Sequence, residues 1–206
     1  MKKVLSLLFL FLSAGLWAQN YDHHDFSLSY GVLSPDRFYT FKSSSIEDQL
    51  PDDRYVRDNF TSPGNIFLTY RFTPLNEYIS YGSTVGYGAS SAEVYYMAML
   101  QGTVNRTFYT AAFEFQVRYV NDGPFQMYSG AGVGITYGLE DFTANPDAVG
   151  MNSKNSSMIL PGYQINLVGV RFGKRLGGYL EFGFGYKGVV NLGLAYSFYK
   201  FGRRKY

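Results

Sequence analysis

The chain has 206 residues, with 18 Lys and Arg against 16 Asp and Glu, a formal charge of +2. That length is one domain's worth, and the absence of cysteine removes disulfide scaffolds and thiolate metal sites. Lys2 and Lys3 carry the whole of the excess charge, so the rest of the chain offers no net attraction to nucleic acid.

Those two lysines open a leader: Met-Lys-Lys, an apolar run over residues 4–17, then Ala18-Gln19. A basic start, a short apolar middle and a small residue at the cut are the parts of a secretory signal peptide. The run is too short to span as a helix, which needs about 20 apolar residues. Residues 1–18 are read as the signal peptide and 19–206 as the mature domain.

From residue 25 onward the dominant period is two. Phe26, Leu28, Tyr30 and Val32 alternate with Ser27, Ser29 and Gly31, a strand with one large apolar face and one lean face. A polar stretch over residues 34–64 follows. Ser34-Pro35 suits a helix start, with Pro51 as its end. The second strand, 65–72, sets Ile66, Leu68, Tyr70 and Phe72 against Phe67, Thr69 and Arg71. The third, 78–89, sets Ile79, Tyr81, Val85 and Tyr87 against Ser80, Gly82, Thr84, Gly86 and Gly88. Residues 90–104 are read as extending the neighbouring strands above a membrane. The fourth strand, 107–120, alternates Tyr109, Phe113, Phe115, Val117 and Tyr119 with Thr110, Ala112, Glu114, Gln116 and Arg118.

A turn at 121–124 leads to the fifth strand, 125–137, where Gly130, Gly132 and Gly134 occupy the lean face. Residues 138–157 form a second long polar connection. In the sixth strand, 158–172, the apolar residues change phase: Tyr163, Ile165 and Leu167, then Val168, Val170 and Phe172. A one-residue slip swaps faces, which predicts a bulge near Gly169. The seventh strand sets Leu180, Phe182, Phe184 and Tyr186 against Glu181, Gly183, Gly185 and Lys187. The eighth sets Val190, Leu192, Leu194, Tyr196 and Phe198 against Asn191, Gly193, Ala195 and Ser197.

The fold class is therefore all-β, an eight-stranded antiparallel up-and-down transmembrane barrel. Connections after strands one, three and five are longer than those after two, four and six, the asymmetry of bacterial outer-membrane barrels. A soluble lipocalin-like barrel is the competing architecture. It fits poorly, because a face of Gly, Ser and Thr makes neither a good water-facing coat nor a good ligand wall.

The segment Asn191-x-Gly193-x-x-Tyr196-x-Phe198 resembles the C-terminal assembly signal of Gram-negative outer-membrane barrels, and residues 183–188 resemble the final hairpin of the OmpX/OmpA-like family. The resemblance implies recognition by the barrel-assembly machinery during biogenesis and residence in the cell outer membrane. The family usually stops at the terminal aromatic, whereas this chain runs on to Tyr206, so the last strand ends at Phe198 or at Phe201.

Three triplets, Tyr70-Arg71-Phe72, Val117-Arg118-Tyr119 and Val170-Arg171-Phe172, repeat an Arg between large residues. Arg on the lipid face costs about 2–4 kcal/mol at the membrane midplane, so all three are expected inside. Arg71, Glu114, Arg118, Arg171, Glu181 and Lys187 are expected to form a lumen charge network that plugs the barrel, because eight strands leave an interior just wide enough for side chains.

No catalytic, cofactor-binding or metal set is expected. His23 and His24, flanked by Asp22 and Asp25, are read as a solvated periplasmic lead-in. The Gly130–Gly134 run lacks the following helix that a dinucleotide loop requires. The functional expectation is a non-enzymatic outer-membrane barrel, monomeric and in contact with lipid. Its structural, envelope-integrity or adhesion role is carried by outer loops near 34–64 and 138–157, which present themselves to extracellular protein or glycan. The alternative is a lipid-modifying or small-ligand-binding barrel.

Overall fold

The computed structural model describes residues 23–32, 44–47, 49–50, 55–74, 78–122, 124–148 and 150–199. The leader, the Ser34 helix start, Pro51 and Phe201 lie outside these. Eight strands are present: β1 (His23–Val32), β2 (Tyr55–Thr73), β3 (Ile79–Tyr96), β4 (Met99–Asp122), β5 (Phe125–Ala144), β6 (Lys154–Gly173), β7 (Leu176–Gly185) and β8 (Val190–Tyr199). One helical turn, α1 (Ser44–Glu47), lies between β1 and β2.

Each strand pairs antiparallel with the next, and β8 pairs with β1 from Val32↔Val190 to His23↔Tyr199, so the sheet is a closed barrel. Closure leaves no unpaired edge within the ring, the condition for crossing a bilayer with strands. The predicted phases hold on β1 to β6 and on β8. Leu28, Leu68, Val133, Ile135, Ile165, Leu167 and Leu194 are exposed on the outside, whereas Ser27, Thr69, Thr84, Glu114, Gln164 and Asn166 are buried inside. The bulge is present as well: pairing skips a residue between Tyr128 and Gly130 on one side of β6 and between Asn166 and Val168 on the other.

Other boundaries differ. β1 begins at His23, so the histidines belong to the wall and are not a solvated lead-in. His24 Nδ1 pairs with the Tyr70 hydroxyl at 2.7 Å and its ring stacks on Tyr70. β7 runs from Leu176 to Gly185, and Tyr186, read as outward, is buried. Gly185 (φ 143°) bends the chain so that Tyr186 and Lys187 both enter the lumen; a Cβ there would meet the Tyr163 carbonyl at 2.0 Å.

Above the membrane the polar stretches are largely strand. Residues 55–64 belong to β2, 90–96 to β3, 99–106 to β4, 138–144 to β5 and 154–157 to β6. β3 and β4 are joined only by Met97-Ala98, and β5 and β6 by residues 145–153. β1, β7 and β8 are short, so the barrel has one low flank and a raised sheet of five strands, β2 to β6. Gly88 stands level with Asn65 and Gly31, near the end of β1. Beyond it β3 adds about 26 Å of strand at ~3.3 Å per residue. The raised sheet's two edges carry Pro63 on β2 and Pro161 on β6, a residue that blunts strand edges because it offers no N–H.

Candidate functional site

The lumen is filled in layers, and each layer follows from the lean face of the strands. Two inward aromatics lie on glycines of the neighbouring strand. A Cβ at Gly86 would sit 2.2 Å from the Phe67 ring, and one at Gly169 would sit 2.2 Å from Tyr128. The inward glycines are thus space for the rings, and the ring stacking contributes to filling the bore.

The central layer joins β2, β4, β7 and the β7–β8 turn. Arg71 reaches Glu114 at 3.1 Å and Glu181 at 3.3 Å. Lys187 reaches Glu114 at 2.7 Å and Glu181 at 3.6 Å. Two cations and two carboxylates alternate, so the formal charge cancels. The remaining carboxylate lone pairs accept hydrogen bonds from Thr84 (2.8 Å) and Tyr186 (2.8 Å) at Glu114, and from Tyr128 (3.0 Å) and Asn191 (2.8 Å) at Glu181. All four charged side chains are buried. Their mutual pairing is what makes that burial tolerable.

The periplasmic layer centres on Asp25, which lies 3.0 Å from Arg171 and 3.4 Å from Arg118. Ser197 donates to Asp25, and His23 Nε2 lies 3.1 Å from it. The six inward charges expected from the sequence therefore lie in two layers: Arg71, Glu114, Glu181 and Lys187 together, Arg118 and Arg171 apart on Asp25. Asp25 was missed although it sits in phase with Ser27 and Ser29. Ser197, Asp25 and His23 are not a hydrolytic triad. The carboxylate stands between hydroxyl and imidazole, so no base reaches the serine in the order that chemistry requires.

Above the central layer, Phe67, Ala112 and Tyr186 form an apolar plate, and Thr110 pairs with Thr136 at 2.9 Å. Higher still, Arg106 of β4 meets Glu140 of β5 at 2.7 Å. Glu140 also accepts hydrogen bonds from Ser45 of α1 and from Ser156 at 3.3 Å. Over this pair sits a second core of Ile46, Ala92, Val94, Val104 and Phe142. Gln49 fastens the helical turn to the β5–β6 connection by two bonds with the Asn152 backbone, donating at 3.0 Å and accepting at 2.7 Å. Alternation alone does not assemble this upper core, although Arg106 and Glu140 are in phase with Thr110 and Thr136.

The segment with the assembly-signal resemblance closes the ring. Asn191 is inside, bound to Glu181. A Cβ at Gly193 would meet the Leu28 carbonyl at 2.5 Å and the Tyr179 ring at 2.8 Å. Tyr196 and Phe198 face outward and pack edge to face, with ring centroids 4.7 Å apart. Phe198 is further met by Phe26 of β1 at 5.7 Å. Strand pairing continues to Tyr199.

Among the described residues no group of three His, Cys, Asp or Glu side chains is placed to hold a metal ion, and no helix is long and apolar enough to cross a membrane. The strands do the crossing. A continuous outer belt of Leu, Ile, Val, Phe and Tyr around a paired polar interior is the inverse of a soluble protein, and lipid is the solvent that suits it. The molecule is a transmembrane β-barrel of the outer-membrane type, and the cell outer membrane is its location.

No family model matches the chain, and no curated protein matches it. Among solved structures, the chain is similar to Ail, the attachment invasion locus protein of Yersinia pestis, at 12% identity and a TM-score of 0.45, covering 88% of this chain and 100% of that one. A second crystal structure of Ail, in complex with the heparin analogue sucrose octasulfate, matches at 13% identity and a TM-score of 0.44, covering 87% and 100%. Likeness at that level carries no functional weight for this chain.

Proposed function

We propose that this protein is a non-enzymatic barrel of the cell envelope whose working surface is the raised sheet, in an adhesion or envelope-contact role. The observation that carries the reading is the contrast between a filled bore and a built exterior. Paired charges and rings fill the bore from Asp25 to Glu140, which supports a plug over a solute path. The five strands β2 to β6 continue outward and acquire a buried core of their own around Ile46 and Phe142. Elements outside the membrane that are given separate stability are the place where a rigid scaffold presents function. The outward polar face of the raised sheet takes an extracellular protein or glycan. The same reading makes residues 191–198 the segment through which the assembly machinery receives the last strand, and the lumen charges a plug.

The test is to replace residues 90–105 with a two-residue Asn-Gly hairpin turn and to shorten 139–157 likewise. Cells displaying the trimmed barrel at normal level should lose attachment to host-cell or matrix-coated surfaces. Undiminished attachment would contradict the proposal.

A further inference from the structure

Among the described residues, strand pairing in the raised sheet runs outward as far as the β3–β4 turn, whose chemistry is unusual for a turn in water. Met97 and Ala98 have φ of 49° and 64°, the left-handed conformation that a two-residue hairpin turn needs at both central positions. Asn-Gly or Asp-Gly ordinarily supplies it. Here side chains that disfavour it are used, and they are apolar and bare: Met97 is 66% exposed, Met99 62% and Leu100 38%. Tyr95 and Tyr96 stand immediately behind, half-buried, and exposed Val56 pairs with Tyr95. The base of the turn is rigid, because Asn145 donates to the carbonyls of Leu100 (3.2 Å) and Gln101 (2.8 Å).

We infer that this tip inserts into the interfacial zone of a second, charge-neutral bilayer facing the cell. Three observations select lipid as the occupant. The tip is far from its own membrane, since the strands below it run about 26 Å past the end of β1. Its apolar area is on the order of 400 Å², within the range of single functional patches on monomers and about half of the ~800 Å² per partner that a stable protein interface buries. Residues 95–100 carry no charge, and an apolar cap backed by two tyrosines has the order of a membrane-interface anchor, apolar end inward and aromatic collar at the head groups. The hairpin keeps its strand backbone paired up to Tyr96↔Met99, so shallow entry exposes few unpaired backbone groups. Just below the collar lie Arg57, Asp58 and Glu93, one cation against two carboxylates, which gives anionic lipid no net attraction.

This inference rests on the raised sheet being the contact surface. The absence of native cysteine allows a single environment-sensitive fluorophore at Ala98→Cys, in protein held in nanodiscs and selected for its folded, unheated gel band. Added phosphatidylcholine vesicles should shift the emission to the blue, and brominated acyl chains in them should quench it. A label at Thr103→Cys should stay unquenched. Carrying Met97→Gln and Met99→Gln beside the label should weaken vesicle binding at least ~10-fold, because burying one Met side chain is already worth about that factor. In the absence of a label, Met97→Asn with Ala98→Gly, which supplies the favoured turn pair and so protects folding, should weaken vesicle flotation as well. An unquenched tip label, or equal binding by the Gln variant, overturns the inference. A shift seen only with protein-bearing membranes assigns a protein partner instead, and a shift that grows with protein concentration without vesicles assigns a second copy; either overturns it. If cells with the Gln variant still attach through the raised sheet, the lipid inference fails and the contact reading stands; if the trimmed barrel still attaches, the contact reading itself has failed.

Discussion

Within the membrane and above it, the same strands obey opposite rules. Below, the outward residues are apolar and the inward ones are Gly, Ser, Thr and paired charges, as on β4 where Phe113 and Phe115 flank Glu114. Above, Val104 and Phe142 turn inward while Asn105, Asp141 and Thr143 face out. On β3, β4 and β5 the period of two runs through the change; only the surrounding solvent differs. The lower region is stabilised by closure and by ionic pairing in a bore that apolar side chains do not dominate. The upper region is an ordinary soluble sheet with a small hydrophobic core, and the Arg106–Glu140 pair marks the changeover.

The largest effect lies at the seam between β8 and β1. Tyr196→Ser with Phe198→Ser removes the outward aromatics where β8 meets β1. Assembled barrel in outer-membrane fractions should fall several-fold with periplasmic degradation rising; normal yield would separate these residues from assembly. Next in size, Glu114→Gln leaves Lys187 and Arg71 sharing Glu181 alone, and breaking a buried pair costs about 3–5 kcal/mol. The denaturant midpoint of the whole barrel should drop, with no conductance gained in planar bilayers. A stable channel would show that the layer is a gate and not a plug.

Ile46→Ala sharpens the contrast, because it acts only above the membrane. Emptying a fully buried Ile site costs about 2–5 kcal/mol, and the loss should appear as faster protease cleavage within residues 145–153 while the heat-modifiable band persists. Loss of that band would mean that the two regions fold as one. The smallest effect concerns Glu93, on the outer surface. Hydrogen bonds from Tyr95 (2.6 Å) and then Asn59 (2.5 Å) hold its carboxyl below the ordinary glutamate range. A depressed acid contributes stability above its unfolded value and loses it as pH falls through the folded one. Acidification below the usual carboxylate range should therefore loosen the β2–β3 hairpin slightly, seen as faster amide exchange at Asn59, and Glu93→Gln should remove that pH dependence.

Inside the membrane the sequence was legible because lipid imposes a strict demand: a large apolar residue at every second position. Eight strands, their faces and the β6 bulge followed from that alone, the bulge because Leu167 and Val168 are adjacent yet both apolar. Above the membrane the same alternation carries polar residues outward; residues 90–104 still read as strand extensions, but Asp141 and Ser157 look like loop. Strand continuity there is set by pairing with neighbours, which a single sequence does not display. Tyr186 was misplaced for a local reason, since Gly185 ends the alternation one residue before it. Asp25 was lost to its neighbours: beside His23 and His24 it reads as a polar lead-in, although its phase with Ser27 points it inward.

The division into a self-sufficient barrel and a dispensable raised sheet is tested most directly by the gel mobility of the trimmed variant, lacking most of residues 90–105 and 139–157, before and after heating. A compact unheated band that shifts on boiling is expected, as for the full chain, because closure and the layers around Asp25, Glu114 and Glu181 lie wholly below the cut. A single unfolded band at both temperatures would contradict it.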